Sequence, residues 1–228
     1  LDRSLDLNAL GLGGTLSLAA AWGHTEIVRL LLDKGVGDVN DALHRARKAE
    51  IARLLLAKGA DVNGKNEAGL TALMNAGDLD LAQLLLANGA DVSARDKDGA
   101  TALMTIMRYG SGGVIQALLA KGADLNARNN SGQNALMYAA WLGEHDILRI
   151  LLDKGADVNL KDNEGKTALI YAVEYIRPEA VGLLLAKRAD VNVRDKAGKT
   201  ALGYALEKSD IEPAKEVVDQ LRKAGGKE

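Results

Sequence analysis

The chain has 228 residues, 29 of them basic and 31 acidic, for a formal charge of −2, and it contains no Cys and no Phe. That balance gives no bulk attraction to nucleic acid or to an anionic membrane, and zero Cys excludes disulfides and thiolate metal sites. No apolar run approaches the roughly 18 residues a bilayer span needs.

The chain opens Leu1-Asp-Arg rather than with Met. That fits a removed export signal or a trimmed start, so periplasmic (exported) and cytoplasmic settings both stay open. Residues 1–13 read as a lead-in or a remnant repeat, because Asp6-Leu-Asn-Ala9 matches Asp124-Leu-Asn-Ala127. Beyond them one phrase recurs: Lys58-Gly-Ala-Asp-Val-Asn63, Asn88-Gly-Ala-Asp-Val-Ser93, Lys121-Gly-Ala-Asp-Leu-Asn126, Lys154-Gly-Ala-Asp-Val-Asn159 and Lys187-Arg-Ala-Asp-Val-Asn192. Its closing residues lie 30, 33, 33 and 33 apart. A period near 33 marks a stack of small units that bury one another, with no single globular core.

The spacing predicts seven helix pairs, over 16–34, 42–58, 71–88, 101–121, 134–154, 167–187 and 200–224. In the fifth, Asn134 or its equivalent Thr (Thr71, Thr101, Thr167, Thr200) is an N-cap. Ala139 and Ala140 allow close helix approach, and Gly143 makes the inter-helix turn. Ile147, Ile150, Leu151 and Leu152 give the second helix one apolar face. Gly155 ends it in the left-handed conformation, and Asp162-Asn-Glu-Gly165 turns into a projecting finger. The last pair is a cap, with Val217, Val218 and Leu221 inward and Asp219, Gln220, Arg222 and Lys223 outward.

These units resemble the ankyrin-repeat family. The family's Thr-Pro-Leu-His box stands as Thr71-Ala-Leu-Met74, Thr101-Ala-Leu-Met104, Asn134-Ala-Leu-Met137, Thr167-Ala-Leu-Ile170 and Thr200-Ala-Leu-Gly203. Its turn and second helix stand in Gly23-His-Thr-Glu-Ile-Val-Arg-Leu-Leu-Leu32. The resemblance implies an all-α solenoid of about seven helix-turn-helix units with projecting β-hairpin fingers. The repeats fall near 14–40, 41–69, 70–99, 100–132, 133–165, 166–198 and 199–228, all within one domain over 14–228. The copies are irregular. Ala replaces the box Pro throughout, and the box His survives in Asp41-Ala-Leu-His44. About eight finger residues are missing near Asn40 and two from the following inter-helix turn. The stretch Met74-Asn-Ala-Gly-Asp78 is three short, and Arg188 stands where Gly ends the other second helices. Such irregularity, with the Ala-Asp-Val-Asn phrasing, resembles natural bacterial members.

No catalytic set stands out. His24 and His145 fall in inter-helix turns, and His44 has no ligand set beside it. Gly110-Ser-Gly-Gly113 reads as a flexible turn. No phosphate loop, dinucleotide fingerprint or nucleophile elbow occurs, so no enzyme, cofactor or metal is expected. The candidate surface is a partner-binding one. Trp22, Tyr109 beside Arg108, Trp141-Leu142 and Tyr175 stand at the end of the first helix, where the resemblance implies contact beside the concave groove. Aromatics and Arg dominate interface hot spots. Trp141-Leu142 is the strongest pair, as two adjacent exposed apolar residues. Tyr138, Tyr171 and Tyr204 form a ladder that reads first as packing between repeats. Lys65, Arg95, Arg128, Lys161 and Arg194 form a basic ladder. Its first reading is local pairing with Asp96, Asn129, Asp162 and Asp195; its second is partner contact from the finger stems, with Arg95, Arg128 and Lys161 as candidates. The resemblance implies a non-catalytic protein-interaction module, monomeric when free, without nucleic-acid or membrane partners. A bacterial inhibitor or self-protection protein is the concrete version, and an intracellular or host-directed effector or scaffold is the alternative.

Overall fold

Short runs of Ala and Leu between capping residues make short helices, and the computed structural model arranges them in pairs. It describes residues 14–210 and 212–228; the lead-in expected over 1–13 lies outside the described residues. The described residues form two compact units, one from 14–97 with 109–123, the other from 98–108 with 124–228.

In the first unit α1 (Thr15–Trp22) pairs with α2 (Thr25–Asp33), and α3 (Val39–Arg45) with α4 (Ala49–Ala57). A single 3₁₀ turn (Leu73–Asn75) pairs with α5 (Leu79–Ala87), and α7 (Gly112–Ala120) packs on α5. In the second unit α6 (Ala102–Thr105) runs into a 3₁₀ turn (Ile106–Arg108). Then come α8 (Ala135–Leu142) with α9 (His145–Asp153), α10 (Ala168–Glu174) with α11 (Pro178–Ala186), and α12 (Ala201–Leu206) with α13 (Glu212–Lys223). First helices pack on first helices, as α1 on α3 and α8 on α10, and second on second, as α2 on α4 and α9 on α11. Leu16, Ile51, Leu55, Leu73 and Leu85 are fully buried in the first unit, and Leu136, Leu148, Leu151 and Leu184 in the second. Each such side chain contributes roughly 1.5–3 kcal/mol.

The caps follow the sequence where the helix is full length. Asn134, Thr167 and Thr200 accept from the N–H groups of Met137, Ile170 and Gly203 at 3.0, 3.4 and 3.1 Å. Thr71 and Thr101, expected to do the same, leave their buried hydroxyls without a partner. In the Thr71 repeat the reason is length. From Leu43 to Ile51 and from Leu73 to Leu81 is 8 residues, against 11 from Leu16 to Ile27 and from Leu136 to Ile147. Three residues are therefore missing from each of these two inter-helix turns, one more than expected in the first. After Thr71 a 3₁₀ turn is all that remains of a helix.

The recurring phrase is a bracket. Asp61, Asp91, Asp124, Asp157 and Asp190 each accept the N–H two residues on, at 2.8–2.9 Å. The Asn then accepts the Asp N–H of the next phrase: Asn63 from Asp91 (2.8 Å), Asn126 from Asp157 (3.0 Å), Asn159 from Asp190 (2.8 Å). Asn40 accepts from Asp61 (2.8 Å) although it sits inside α3, just past the missing finger. In each of these four cases one Asn side chain satisfies a backbone donor of the next repeat.

Among the described residues there is no β-strand, so the fingers are not the expected β-hairpins. The fingers at 66–70, 129–133, 162–166 and 195–199 are turns closed by two backbone bonds, as Asp162 N–H to Lys166 O at 2.9 Å and Gly165 N–H to Asp162 O at 3.1 Å. The Asp162 carboxylate takes the N–H groups of Glu164 and Lys166 at 2.9 and 2.8 Å. A short polar side chain that captures its own backbone donors leaves too few for a ladder. Successive fingers share one backbone bond, as Lys97 N–H to Ala68 O (3.1 Å) and Asn163 N–H to Ser131 O (3.0 Å).

The C-terminal helix buries Val217, Val218 and Leu221 and exposes Asp219, Arg222 and Lys223, with Gln220 half-buried. In the first unit Ile27 is 46% exposed, whereas its counterparts Ile51, Leu81 and, in the second unit, Ile147 are buried.

Candidate protein-binding face

The inter-helix ends of the first helices carry the aromatic residues, but not all of them are exposed. Trp22, last residue of α1, is 75% exposed; Tyr109 is 53% and Tyr175 45% exposed. Trp141 and Leu142, expected as an exposed pair, are both half-buried. The Trp141 ring lies 5.6 Å from Tyr175 and 6.0 Å from Tyr138 between centroids, both tilted, and Arg108 sits over it at 5.6 Å. Tilted ring pairs and a cation on the ring face each add on the order of 1 kcal/mol. The indole is covered because Arg108 and Tyr175, each one repeat away, and Tyr138 on its own helix fold onto it. Arg108 belongs to this cluster in the second unit, whereas Tyr109 belongs to the first. There the Tyr109 hydroxyl reaches Met74 O at 3.4 Å, and a side chain at Gly77 would meet Tyr109 O at 2.9 Å.

Two cations that the sequence reading passed over hold these ends. Lys48 Nζ donates to Gly23 O at 2.8 Å, and Arg177 Nε donates to Trp141 O at 3.2 Å. Gly23 and Gly143 both have positive φ, and a Cβ there would press on Lys48 Cε (2.8 Å) or Arg177 Cδ (2.9 Å). Each cation neutralises the carbonyl end of the preceding first helix. The signal was present: Lys48 and Arg177 occupy N-cap positions where Ser, Thr, Asp or Asn is the usual residue.

The tyrosine ladder ties helix to finger. Tyr171 and Tyr204 donate to Asp162 and Asp195 at 2.7 and 2.6 Å, and Asn129 donates to Tyr138 at 3.2 Å. Gln133 adds a bond to the Tyr171 hydroxyl at 2.6 Å. Burial, then the Asp162 carboxylate, pushes the Tyr171 phenol up. Burial alone would raise the Asp195 carboxyl, but the bonds from Tyr204 and from backbone N–H groups outweigh it and hold it below its ordinary value.

Lys161 and Arg194 do not form the expected local pairs, because Asp162 and Asp195 are taken by these tyrosines and by finger N–H groups. Lys65 donates instead to Arg95 O, and Arg128 to Lys161 O, both at 2.8 Å. Arg194 donates to Gly198 O at 2.6 Å. Arg95, Arg128 and Lys161 are exposed.

His44 is buried, with Nε2 on Gly64 O at 2.8 Å and Nδ1 without a partner. His24 is exposed, and His145 Nε2 lies 3.7 Å from Glu179, too far for a hydrogen bond. Gly110-Ser-Gly-Gly113, expected as a turn, begins α7 at Gly112. Among the described residues no group of three or more His, Asp or Glu could hold a metal ion, and no helix is long and apolar enough to cross a membrane.

Models of ankyrin repeats match residues 13–66, 70–162 and 151–205. The chain belongs to the ankyrin-repeat family. No curated protein matches it. Ankyrin repeats are generally protein–protein interaction modules and typically non-catalytic. The recurring parts of this array, the brackets and finger ties, hold the repeats together. Trp22, Tyr109 and Tyr175 are left exposed at the inter-helix ends.

Proposed function

We propose that the chain is a non-catalytic array of seven ankyrin repeats that binds a partner protein through the inter-helix ends of its first helices and its finger stems. Trp22, Tyr109 and Tyr175 are its exposed aromatics. Arg108, Trp141 and Leu142 form a pre-packed platform, and Arg95, Arg128 and Lys161 a basic rim. The observation that carries this reading is the exposure of Trp22, Tyr109 and Tyr175. Large rings exposed to water are the residues that dominate interface energetics. The platform around Trp141 is already ordered, so binding would carry a small entropic penalty. With no catalytic set of its own, the array would act on a partner enzyme by occlusion, as an inhibitor or self-protection protein does. A scaffold or effector would use the same surface without lowering the partner's activity.

Affinity capture with the purified chain, mass spectrometry and calorimetry on the recovered partner test this. Trp22→Ala or Tyr175→Ala should weaken binding by about 2 kcal/mol, roughly thirtyfold, and partner activity should fall as the complex saturates. Recovery of no saturable partner, or wild-type affinity in both variants, would refute the reading.

A further inference from the structure

The first unit contains a cleft of about 610 Å³ lined by Ala21, His44, Arg45, Ala46, Arg47, Asn75, Gly77, Asp78, Leu81 and Tyr109. Its origin is legible in the chain. The turns at 45–49 and 75–79 are the two that lack three residues. Three helical residues are about 4.5 Å of rise, so the face is recessed there by nearly one turn. Tyr109 stands at the edge of the recess, anchored on Met74 O, and Ala21, next to exposed Trp22, lines another side.

The lining carries two guanidiniums, Arg45 and Arg47, against one carboxylate, Asp78. Asp78 caps α5 by accepting Leu81 N–H at 3.0 Å, and Arg45 is paired with Asp41 at 3.3 Å. Lys48, nearby in sequence, is committed to Gly23 O. Arg47 is exposed and has no hydrogen-bond or ion-pair partner among the described residues. A guanidinium with a free planar fork is built for a carboxylate, and Ala21, Ala46 and Leu81 supply apolar wall beside it.

We propose that this recess is the specificity subsite of the array, and that it takes an acidic peptide segment of the partner. An Asp or Glu side chain of that segment pairs with Arg47, and its neighbouring apolar residue lies against Ala46 and Leu81. The proposal rests on the protein-binding reading above but can fail separately from it. The size suits a peptide side-chain pocket, and the local positive charge stands out in a chain whose net charge is −2.

The test uses the whole chain and random peptides displayed on phage. Selection is run on wild type, on Arg47→Glu, and on Arg53→Glu, which makes the same charge change at a residue outside the cleft. Wild type and Arg53→Glu should enrich peptides carrying Asp or Glu beside an aliphatic residue. An enriched peptide made synthetically should perturb the amide resonances of Ala46, Gly77 and Tyr109. Arg47→Glu should bind that peptide at least tenfold more weakly. Enrichment without acidic preference, equal affinity for Arg47→Glu, perturbation confined to other residues, or tighter binding of a single-stranded oligonucleotide than of any peptide would overturn the proposal. If the partner recovered by affinity capture binds Arg47→Glu as well as wild type, the subsite is wrong and the binding function stands.

Discussion

Tyr171→Phe removes one oxygen and should be one of the more damaging conservative changes in the second unit. The hydroxyl donates to Asp162 at 2.7 Å and accepts from Gln133 at 2.6 Å. Asp162 is only 7% exposed, so water cannot readily replace the lost donor. A hydrogen bond to a charged group is worth about 1.5–3 kcal/mol, and Gln133, being half-exposed, can recover its partner from solvent. The expected net loss is about 2 kcal/mol. Tyr138→Phe makes the internal comparison. Its hydroxyl accepts from the neutral Asn129 at 3.2 Å, so about 1 kcal/mol or less is expected. Urea unfolding followed by far-UV circular dichroism measures the difference. Amide exchange adds a local readout, because Glu164 and Lys166 N–H groups hang on the same carboxylate and should exchange faster in the Tyr171 variant. A loss under about 0.5 kcal/mol, or one no larger than that of Tyr138→Phe, would show that the finger tie does not bear on stability.

Two further outcomes follow from strain and protonation. Arg188 and Ile176 hold φ of 63° and 52° where other repeats place glycine. Arg188→Gly should therefore raise stability by about 1 kcal/mol and Ile176→Gly by at least as much, seen as higher urea midpoints; unchanged midpoints would contradict the strain. The carboxyls of Asp41, Asp91 and Asp195 sit below the ordinary 3.8. Ser93 is the main cause at Asp91. At Asp41 burial opposes the shift and Ser17 and Arg45 outweigh it. The unfolded chain then binds protons first, so this stabilisation is complete above 3.8 and is lost as pH falls below it. Asp195→Asn should flatten that acid limb in thermal melts, since Asn129 shows that an amide can hold the equivalent tyrosine. An unaltered limb would exclude Asp195 as a contributor.

The repeat, the second helices and the caps at Asn134, Thr167 and Thr200 were legible because each depends on residues within one turn of itself. What failed depended on neighbours in other elements, from nine to 34 residues away. Trp141 looked free in isolation, yet Arg108 and Tyr175 close around it. The finger acids looked like partners for the basic ladder, yet the tyrosines nine positions on had already taken Asp162 and Asp195. The shortened turn at Met74 was visible as a count. Its consequence, a helix reduced to a 3₁₀ turn with Thr71 uncapped, needed the backbone.

The two three-residue deletions in the first unit explain why a recess can exist without damaging the core. They fall after the buried box positions Leu43 and Leu73 and before Ile51 and Leu81, all of which stay buried. What is removed is the end of the first helix, the segment that in the first repeat ends in exposed Trp22 and in the fifth holds Trp141 and Leu142. The second and third repeats therefore have no ring to offer, and what they present instead is Arg47 and an apolar floor. A core selected only for stacking would have no reason to keep the same truncation in consecutive units while retaining the Asn40 and Asn63 brackets that hold those units in register. Restoring three residues to the turn after Arg45 should thus fill the recess and leave unfolding midpoints near wild type. Acidic-peptide binding should then be lost as completely as in Arg47→Glu, whereas a refilled turn that still bound such peptides would place their site elsewhere.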